Sequence, residues 1–355
     1  MAPPVVVAAG PTVSYEHPMQ LDTVLDADLD GIADQAAQLA AAGFDGAFTF
    51  EGPRDVFLPL VPATSAGLQL YTNVAIALPR SPMHLAYTAW DLQRASHGRF
   101  ALGVGSQIKP HIERRYSALW DKPVAQMREL IQALRAIFDC FQNGSPLDFR
   151  GDYYTHTLMI PTHNPGPLEW GPPPIWAAAL GPAMTRMVAA EADGIVIHPF
   201  NTSHFLREVT VPLVHEGWER AGRTGDGFTF GVGTIIGVYR NDEERAEAER
   251  GVRFNLGFYG STPAYRVVLD AHGWGDVQPE LRRLTKDGGA WDRLGAVWTD
   301  EQLDALCVLG TPSEVAAELR RRFAGIADRL ALSIPHRTSP ELLAELGAAW
   351  RASVS

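Results

Sequence analysis

The feature that most constrains the fold is a regular alternation of short apolar segments with longer amphipathic segments along nearly the whole chain. The short segments have the length and the flanking glycines and prolines of buried strands, and the longer ones have helical periodicity. Eight strands are predicted, at residues 5–9, 46–51, 69–77, 99–105, 175–179, 194–198, 228–239 and 329–335. Eight strands that alternate with helices predict one α/β domain over residues 1–355, a (β/α)8 TIM barrel.

Two segments interrupt the alternation and are predicted as insertions into the barrel. Residues 144–173 are rich in glycine, proline and aromatic side chains, and residues 258–310 carry helical pieces among many glycines, tryptophans and aspartates. The main alternative is an open, doubly wound sheet, which usually has a G-x-G-x-x-G turn after its first strand. The corresponding junction reads AAGPTVSYEHP and lacks that spacing, which favours the barrel.

Composition excludes several classes of function. A net charge of -11 argues against a nucleic-acid partner, because phosphate neutralisation needs a basic face. No stretch has the 18 consecutive apolar residues of a membrane span, and the start MAPPVVVAAG indicates a strand, not a signal peptide, so we expect a cytoplasmic protein. Cys140 and Cys307 have no zinc-site or CxxC spacing and are predicted to be buried free thiols, and no HExxH motif indicates a metal site.

A parallel barrel builds its working face from the residues that follow the carboxyl ends of its strands. These positions hold an unusual number of polar side chains, which are costly to gather at one end of a core unless something binds there. They are Tyr15, Glu16, His17, Glu51, Arg54, Asp55, Thr72, Asn73, Ala75, Ser106, Gln107, His111, Leu180, Gly181, His198 and His336.

The junction WAAALGPAMTRM leads from the fifth strand into a helix through Gly181, Pro182 and Ala183. Free amides at a helix start, with no bulky side chain before them, suit a phosphate. The alternative is an ordinary strand-to-helix turn with proline in the first helical turn. A P-loop is excluded because the Walker lysine is missing.

The junction YTNVAIALPRSP places Asn73 inside an otherwise apolar strand. A buried amide needs partners, so either a ligand or the edge of its own sheet must satisfy it. Among the histidines, His97 at a helix end and His84 in a first turn are expected to be structural. If acid chemistry occurs, the candidates by position are His111, Glu51, His198 and His336.

Three stretches resemble the bacterial luciferase-like flavin and deazaflavin oxidoreductases, and most closely the branch that uses coenzyme F420. They are TNVAIALPRSPMHLAYTAWDLQRASHGRFALGVGSQ, AALGPAMTRMVAAEADGIVIHPF and GTPSEVAAELRRR. The resemblance implies a barrel that is often a homodimer, with a tricyclic ring in its mouth. It also implies that the cofactor phosphate lies on the turn formed by Ala179, Leu180, Gly181, Pro182 and Ala183.

The same resemblance implies roles around the ring. A non-prolyl cis peptide would lie between Thr72 and Asn73, beside Ala75, and Gly105 would let the ring approach the backbone. Ser106 and Gln107 would contact its polar edge. His111 falls where relatives place an amide near the cofactor. Two departures, Gly52 after Glu51 and Ile108 where a glutamate is expected, argue against a sugar-phosphate dehydrogenase.

Three functions follow as hypotheses. The first is an F420-dependent oxidoreductase that transfers a hydride to or from a small organic substrate. The second is an FMN-dependent monooxygenase fed by a separate reductase, with a dry pocket closed by aromatic residues of the insertions. Those residues are Trp170, Phe258, Tyr259, Trp274 and Trp291. The third is a non-catalytic flavin-binding barrel, against which the polar strand ends argue.

Overall fold

The computed structural model of the chain describes residues 18–286 and 290–353. Eight parallel strands form a closed barrel in it, as predicted. They are β1 Gln20–Val24, β2 Gly46–Thr49, β3 Gln69–Thr72, β4 Phe100–Gly105, β5 Ile175–Ala178, β6 Gly194–Ile197, β7 Thr229–Val238 and β8 Arg329–Ser333. Each strand pairs with the next one along the chain, and β8 pairs with β1 to close the ring.

The first strand corrects one prediction. The predicted strand at residues 5–9 lies outside the described residues, and the barrel position between β2 and β8 is filled by Gln20–Val24. Its sequence, QLDTV, carries two strongly polar residues and therefore lacks the apolar pattern of the other strands. Tyr15, Glu16 and His17 precede β1 in the chain, instead of following it, and also lie outside the described residues.

Helices connect the strands, and their ends follow local sequence rules. The main ones are Ile32–Ala42, Leu60–Ala63, Pro82–Ala95, Pro123–Asn143, Pro182–Glu191, Val211–Ala221, Pro312–Phe323 and Pro340–Ala352. Ser81 caps its helix by accepting a hydrogen bond from the Met83 amide, and Gly43 ends another at a φ of 90°. Thr311 forms a capping box with Glu314.

Both predicted insertions have structure of their own. The first contains a small hairpin and a 3-10 turn, at Phe149–Arg150, Thr155–His156 and Pro161–His163. The second begins with the end of a long helix and contains short helices and a strand paired with the end of β7. Its elements are Asp242–Gly260, Pro263–Tyr265, Arg266–Asp270, Val277–Lys286, Trp291–Val297, Asp300–Leu306 and Cys307–Gly310. The remaining short pieces are Thr64–Ala66, Ala75–Ile76, Lys109–Arg114, Ser203–Phe205 and Leu206–Thr210.

The barrel interior is filled below its mouth. Side chains that alternate inward along the strands pack together as Phe48, Tyr71, Ala101, Trp176, Val196 and Ala331. Beneath them Arg329 donates two hydrogen bonds to Asp22, at 2.6 and 2.8 Å, and the Tyr71 hydroxyl donates a third at 2.9 Å. A Cβ atom at Gly46 would lie 2.5 Å from Asp22 Oδ1, so this ion pair leaves no room for a side chain there. The barrel interior is thus filled by side chains at its amino end.

Two further predictions can be checked at this level. Cys140 and Cys307 are free and buried, as predicted. Within the described ranges, no helix is both long and apolar enough to cross a membrane.

Candidate functional site

The third barrel strand breaks at the mouth. β3 ends at Thr72 and pairing resumes at Ala75–Ile76, and the peptide bond between Asn73 and Val74 is cis. The predicted cis bond therefore exists but lies one residue later than Thr72–Asn73. Thr72 stays in the regular ladder because it pairs with Thr49 and its hydroxyl donates to the Gly103 carbonyl at 2.6 Å.

Asn73 lies at this break between β3 and Ala75–Ile76. Its backbone N–H donates to the Thr49 carbonyl at 2.7 Å, but its side-chain amide is partly buried and bonds to nothing in the described part of the chain. The sheet edge therefore does not satisfy this amide, which leaves it available to a ligand.

Small residues line the floor of the mouth beside this break. A Cβ atom at Gly105 would lie 2.6 Å from the Val74 side chain and 3.4 Å from the Ala178 Cβ. At Gly103 it would lie 1.8 Å from the Thr72 carbonyl oxygen. Both glycines are thus required by the close approach of neighbouring strands. Val74, Gly105 and Ala178 together form an apolar floor. Because the Val74 side chain covers the face of Gly105, this glycine makes room for Val74 and, contrary to what the resemblance implied, does not leave its backbone open to a ring.

The segment after β4 carries three predicted cofactor contacts. The Ser106 hydroxyl donates to the Gln107 carbonyl at 3.2 Å, and Gln107 has a φ of 59° with an exposed side chain that accepts from the Ile108 amide. His111 lies partly buried in the short helix Lys109–Arg114. Ser106 and Gln107 directly follow the end of β4, which forms part of the floor.

Glu51 lies at the mouth as predicted, but both of its carboxylate oxygens are occupied. Oε2 accepts from the Ile76 amide at 2.7 Å and from Arg80 at 2.6 Å, and Oε1 accepts from the Tyr116 hydroxyl at 2.9 Å. The side chain is only 7% exposed. Burial and the Glu51 carboxylate raise the pKa of Tyr116, which keeps that hydroxyl a donor. Glu51 therefore connects the end of β2 to Ala75–Ile76, which we call the β3 extension, and to the segment after β4.

Sequence reasoning missed Arg80 and Tyr116. Arg80 could have been found, because it is the only charged side chain in the predicted strand-to-helix junction VAIALPRSP. Tyr116 gave no such indication, since an aromatic residue near a helix end is usually a packing residue.

His198 follows β6 and continues the inward alternation of Gly194 and Val196, so its ring faces the mouth. Nδ1 accepts from the Phe200 amide at 3.1 Å. The ring stacks on Tyr265 at 4.4 Å and meets Tyr259 edge-on at 4.5 Å. Burial lowers the pKa of His198 to about 3, so the imidazole is neutral near pH 7. Because Nδ1 accepts, the single proton is on Nε2.

His336 follows β8 and is used differently. Its Nε2 donates to the Val238 carbonyl at the end of β7, at 3.0 Å, and its Nδ1 is buried without a partner among the described residues. Burial lowers the pKa of this imidazole. His336 thus joins the ends of two strands, and its proton is already engaged.

The helix Pro182–Glu191 begins at the mouth with an open turn. Gly181 has an extended backbone, no side chain caps the helix start, and a Cβ atom at Gly181 would meet nothing within 4 Å. The first helical hydrogen bond runs from the Thr185 amide to the Gly181 carbonyl at 3.0 Å. The amides of Ala183 and Met184 precede that bond and point out of the helix end, where the partial positive charge of the helix lies.

Of the five predicted aromatic residues of the insertions, Phe258, Tyr259 and Trp291 form one group of contacting rings. Trp170 contacts His97 at 5.2 Å, beside the chain that enters β4, so it lies at the amino end and does not close the mouth. Trp274 stacks on His272 at 4.1 Å. Tyr259 contacts His198, and Phe258 and Trp291 continue outward from it.

Comparisons with known proteins give a consistent family. The sequence profile described as luciferase-like monooxygenase matches residues 8–329. An uncharacterized protein of Mycobacterium tuberculosis is 43% identical over 314 residues, 88% of this chain and 92% of that protein. The 5,10-methylenetetrahydromethanopterin reductase of Archaeoglobus fulgidus is 27% identical over 241 residues, 66% of this chain and 67% of that protein. The solved coenzyme F420-dependent tetrahydromethanopterin reductase of Methanopyrus kandleri superposes with a TM-score of 0.77 at 16% identity, over 95% of this chain and 99% of that one, and so shares its fold.

Proposed function

This chain belongs to the luciferase-like monooxygenase family, and on that premise we propose that it is an F420-dependent oxidoreductase that transfers a hydride between the deazaflavin and an organic substrate. The observation that carries the proposal is a pair of features at the same mouth. One is the open helix start at Gly181, and the other is the apolar floor of Val74, Gly105 and Ala178. A phosphate-bearing planar cofactor needs both.

The residues present fit such a group. The amides of Ala183 and Met184 would hold the phosphate, since no side chain competes for them and the space beside Gly181 is empty. The apolar side chains of Val74 and Ala178 would give a planar ring a surface to lie on. The unsatisfied amide of Asn73 and the exposed amide of Gln107 would supply hydrogen bonds at the ring edge.

Bound F420 supplies a carrier that moves two electrons as a hydride. The residues of this chain would bind the cofactor and orient it. Glu51 accepts three hydrogen bonds that hold the β3 extension and the segment after β4 in place, so the residues that would face the ring are fixed before the cofactor binds. The names of the relatives support the choice of cofactor, since the Methanopyrus kandleri structure is described as coenzyme F420-dependent.

The test is a pair of titrations of the purified protein, one with F420 and one with FMN, followed by cofactor fluorescence. We expect saturable binding of F420 and much weaker binding of FMN. Tighter binding of FMN, together with oxygen consumption on addition of reduced FMN, would instead establish the second function, a two-component monooxygenase. Binding of either cofactor without turnover of any substrate would leave a non-catalytic barrel. Light scattering on the same samples tests the expected homodimer.

A further inference from the structure

We propose that the substrate is an extended apolar molecule that carries one uncharged oxygen acceptor, such as a carbonyl group. The oxygen accepts a hydrogen bond from His198, and the apolar part lies along a line of rings on the second insertion. We name this line the aromatic track and define it as Tyr259, Phe258, Trp291 and Phe254. The inference rests on the proposed function, because it places the reacting end of the substrate beside the floor where the cofactor ring would lie.

The head of the site is a fixed hydrogen-bond donor. The His198 ring is held by the Phe200 amide on Nδ1 and by Tyr265 and Tyr259 on its face and edge. Its Nε2–H has no partner in the described part of the chain and is not sealed from solvent. A donor that is rigidly held, aimed into a mouth and left unpaired selects a ligand with an acceptor.

The charge around this donor indicates an uncharged acceptor. Burial alone shifts the pKa of His198, with no contribution from a charged neighbour. Burial also raises the pKa of Tyr259 and Tyr265, so both hydroxyls stay neutral. A carboxylate or phosphate head group would lose its hydration here without gaining a counter-charge. A ketone or similar oxygen loses less and gains the same hydrogen bond.

The aromatic track leads outward from that donor in continuous ring contacts. Tyr259 lies 4.5 Å from His198, and Phe258 lies 5.5 Å from Tyr259, measured between ring centroids. Trp291 stacks on Phe258 at 6.0 Å, and Phe254 lies 6.3 Å from Trp291. The contact therefore passes without a gap from the barrel mouth onto the surface of the helix Asp242–Gly260.

The outer rings are too exposed to be ordinary core. Phe258 is 43% exposed, Trp291 39% and Phe254 45%. Isolated exposed apolar residues are common, but here Phe254 and Phe258 both contact Trp291, and such a connected group of large rings forms a patch of the kind that binds ligands. Its continuity with the mouth decides for a substrate tail, because a tail on these rings places the attached head group at His198.

The test measures binding of straight-chain methyl ketones of increasing length to the full-length protein by titration calorimetry, with and without saturating F420. Full burial of one methylene raises affinity roughly fourfold. A tail that contacts the rings on one side only should gain about half of that free energy, so we expect the affinity to rise about twofold per added methylene. Trp291→Ala should weaken binding of the longest ketone about tenfold and leave the shortest unchanged. Trp170→Ala is the matched control, because Trp170 is 43% exposed at the opposite end of the barrel. Circular dichroism of each variant establishes that it is folded.

A second variant tests the head of the site. His198→Phe keeps a ring between Tyr259 and Tyr265 but removes the Nε2–H, so it should weaken all ketones by a similar factor, about tenfold, at every chain length. Equal affinities for all chain lengths, or equal losses in Trp291→Ala and Trp170→Ala, would overturn the inference. So would a shift in oligomeric state of Trp291→Ala with unchanged ketone affinity, because the aromatic track would then be a contact between copies of the chain.

The two proposals fail separately. Because the calorimetric titration does not require turnover, length-dependent ketone binding by a protein that binds neither F420 nor FMN would refute only the proposed function. F420 binding without length dependence would refute only the aromatic track.

Discussion

Gly181→Asp should weaken cofactor binding while leaving the fold intact. The backbone at Gly181 has a φ of −81° and a ψ of 155°, which any residue adopts, and a Cβ atom there meets nothing within 4 Å. A carboxylate at this position would lie about 5 Å from a phosphate on the Ala183 and Met184 amides. With an effective dielectric constant between about 20 and 80, the repulsion is about 1 to 3 kcal/mol. The Kd for F420 should therefore rise roughly fivefold to 150-fold.

The same substitution should slightly stabilise the protein, which separates a binding effect from a folding defect. Aspartate at a helix N-cap is better than glycine by a few tenths of a kcal/mol. We therefore expect an unchanged or higher Tm together with a weaker fluorescence titration. Gly181→Asn is the matched control, because it has the same shape without the charge. Competition of the side chain for the helix amides affects both variants, so the difference between their Kd values reports the charge. Added salt should reduce the difference between the F420 Kd values of the two variants, because it screens the charge repulsion.

Equal F420 affinities for wild type, Gly181→Asp and Gly181→Asn would refute the assignment of the phosphate to this helix start. A fall in Tm that matches the loss of affinity would refute the argument that the position is open.

Three further outcomes are expected. Tyr116→Phe removes the donor to Glu51 Oε1 and should lower the free energy of unfolding, measured in urea, by about 1 to 3 kcal/mol. The control Tyr153→Phe removes an exposed hydroxyl and should change that free energy little; equal losses in the two variants would contradict the role of Glu51 in holding the three segments together. The pKa of His198 is about 3 in the folded protein and 6.5 in the unfolded chain, so its contribution to stability is complete above pH 6.5 and is lost as pH falls toward 3, by up to about 1.4 kcal/mol per pH unit. His198→Phe should therefore reduce the slope of unfolding free energy against pH in that window by the equivalent of about one proton, and an unchanged slope would contradict a neutral His198 ring. Burial raises the pKa of Cys307 to about 12, so a thiol reagent at pH 8 should modify it only as fast as the chain unfolds, and rapid modification of the native protein would contradict its burial.

The barrel could be predicted because seven of its eight strands carry apolar patterns that need no distant information, and because Ser81, Gly43 and Thr311 mark helix ends through purely local hydrogen bonds. The strand Gln20–Val24 could not, since its buried Asp22 is stable only through Arg329 at the other end of the sequence. Periodicity does not detect a charge whose partner is remote.

The site shows the same division. The positions of the strand ends identified Glu51, His198 and His336 as residues of the mouth, but did not distinguish which of them is free to contact a ligand. The difference between the two histidines depends on the atoms that their nitrogens meet: a carbonyl occupies Nε2 of His336, and Nε2 of His198 remains open. The engagement of Glu51 by Arg80 and Tyr116 is likewise visible only once three loops are placed together.

The closing ion pair also sets an order of events during synthesis. Asp22 and Arg329 are 307 residues apart, so at about 5 to 20 residues per second the ribosome releases the carboxylate roughly 15 to 60 s before its guanidinium partner. Until then the nascent sheet has two free edges, one of which carries an uncompensated negative charge. Sealing of the cylinder therefore waits until β8 has been translated, and a product terminated before β8 would present that charged edge to chaperones and proteases.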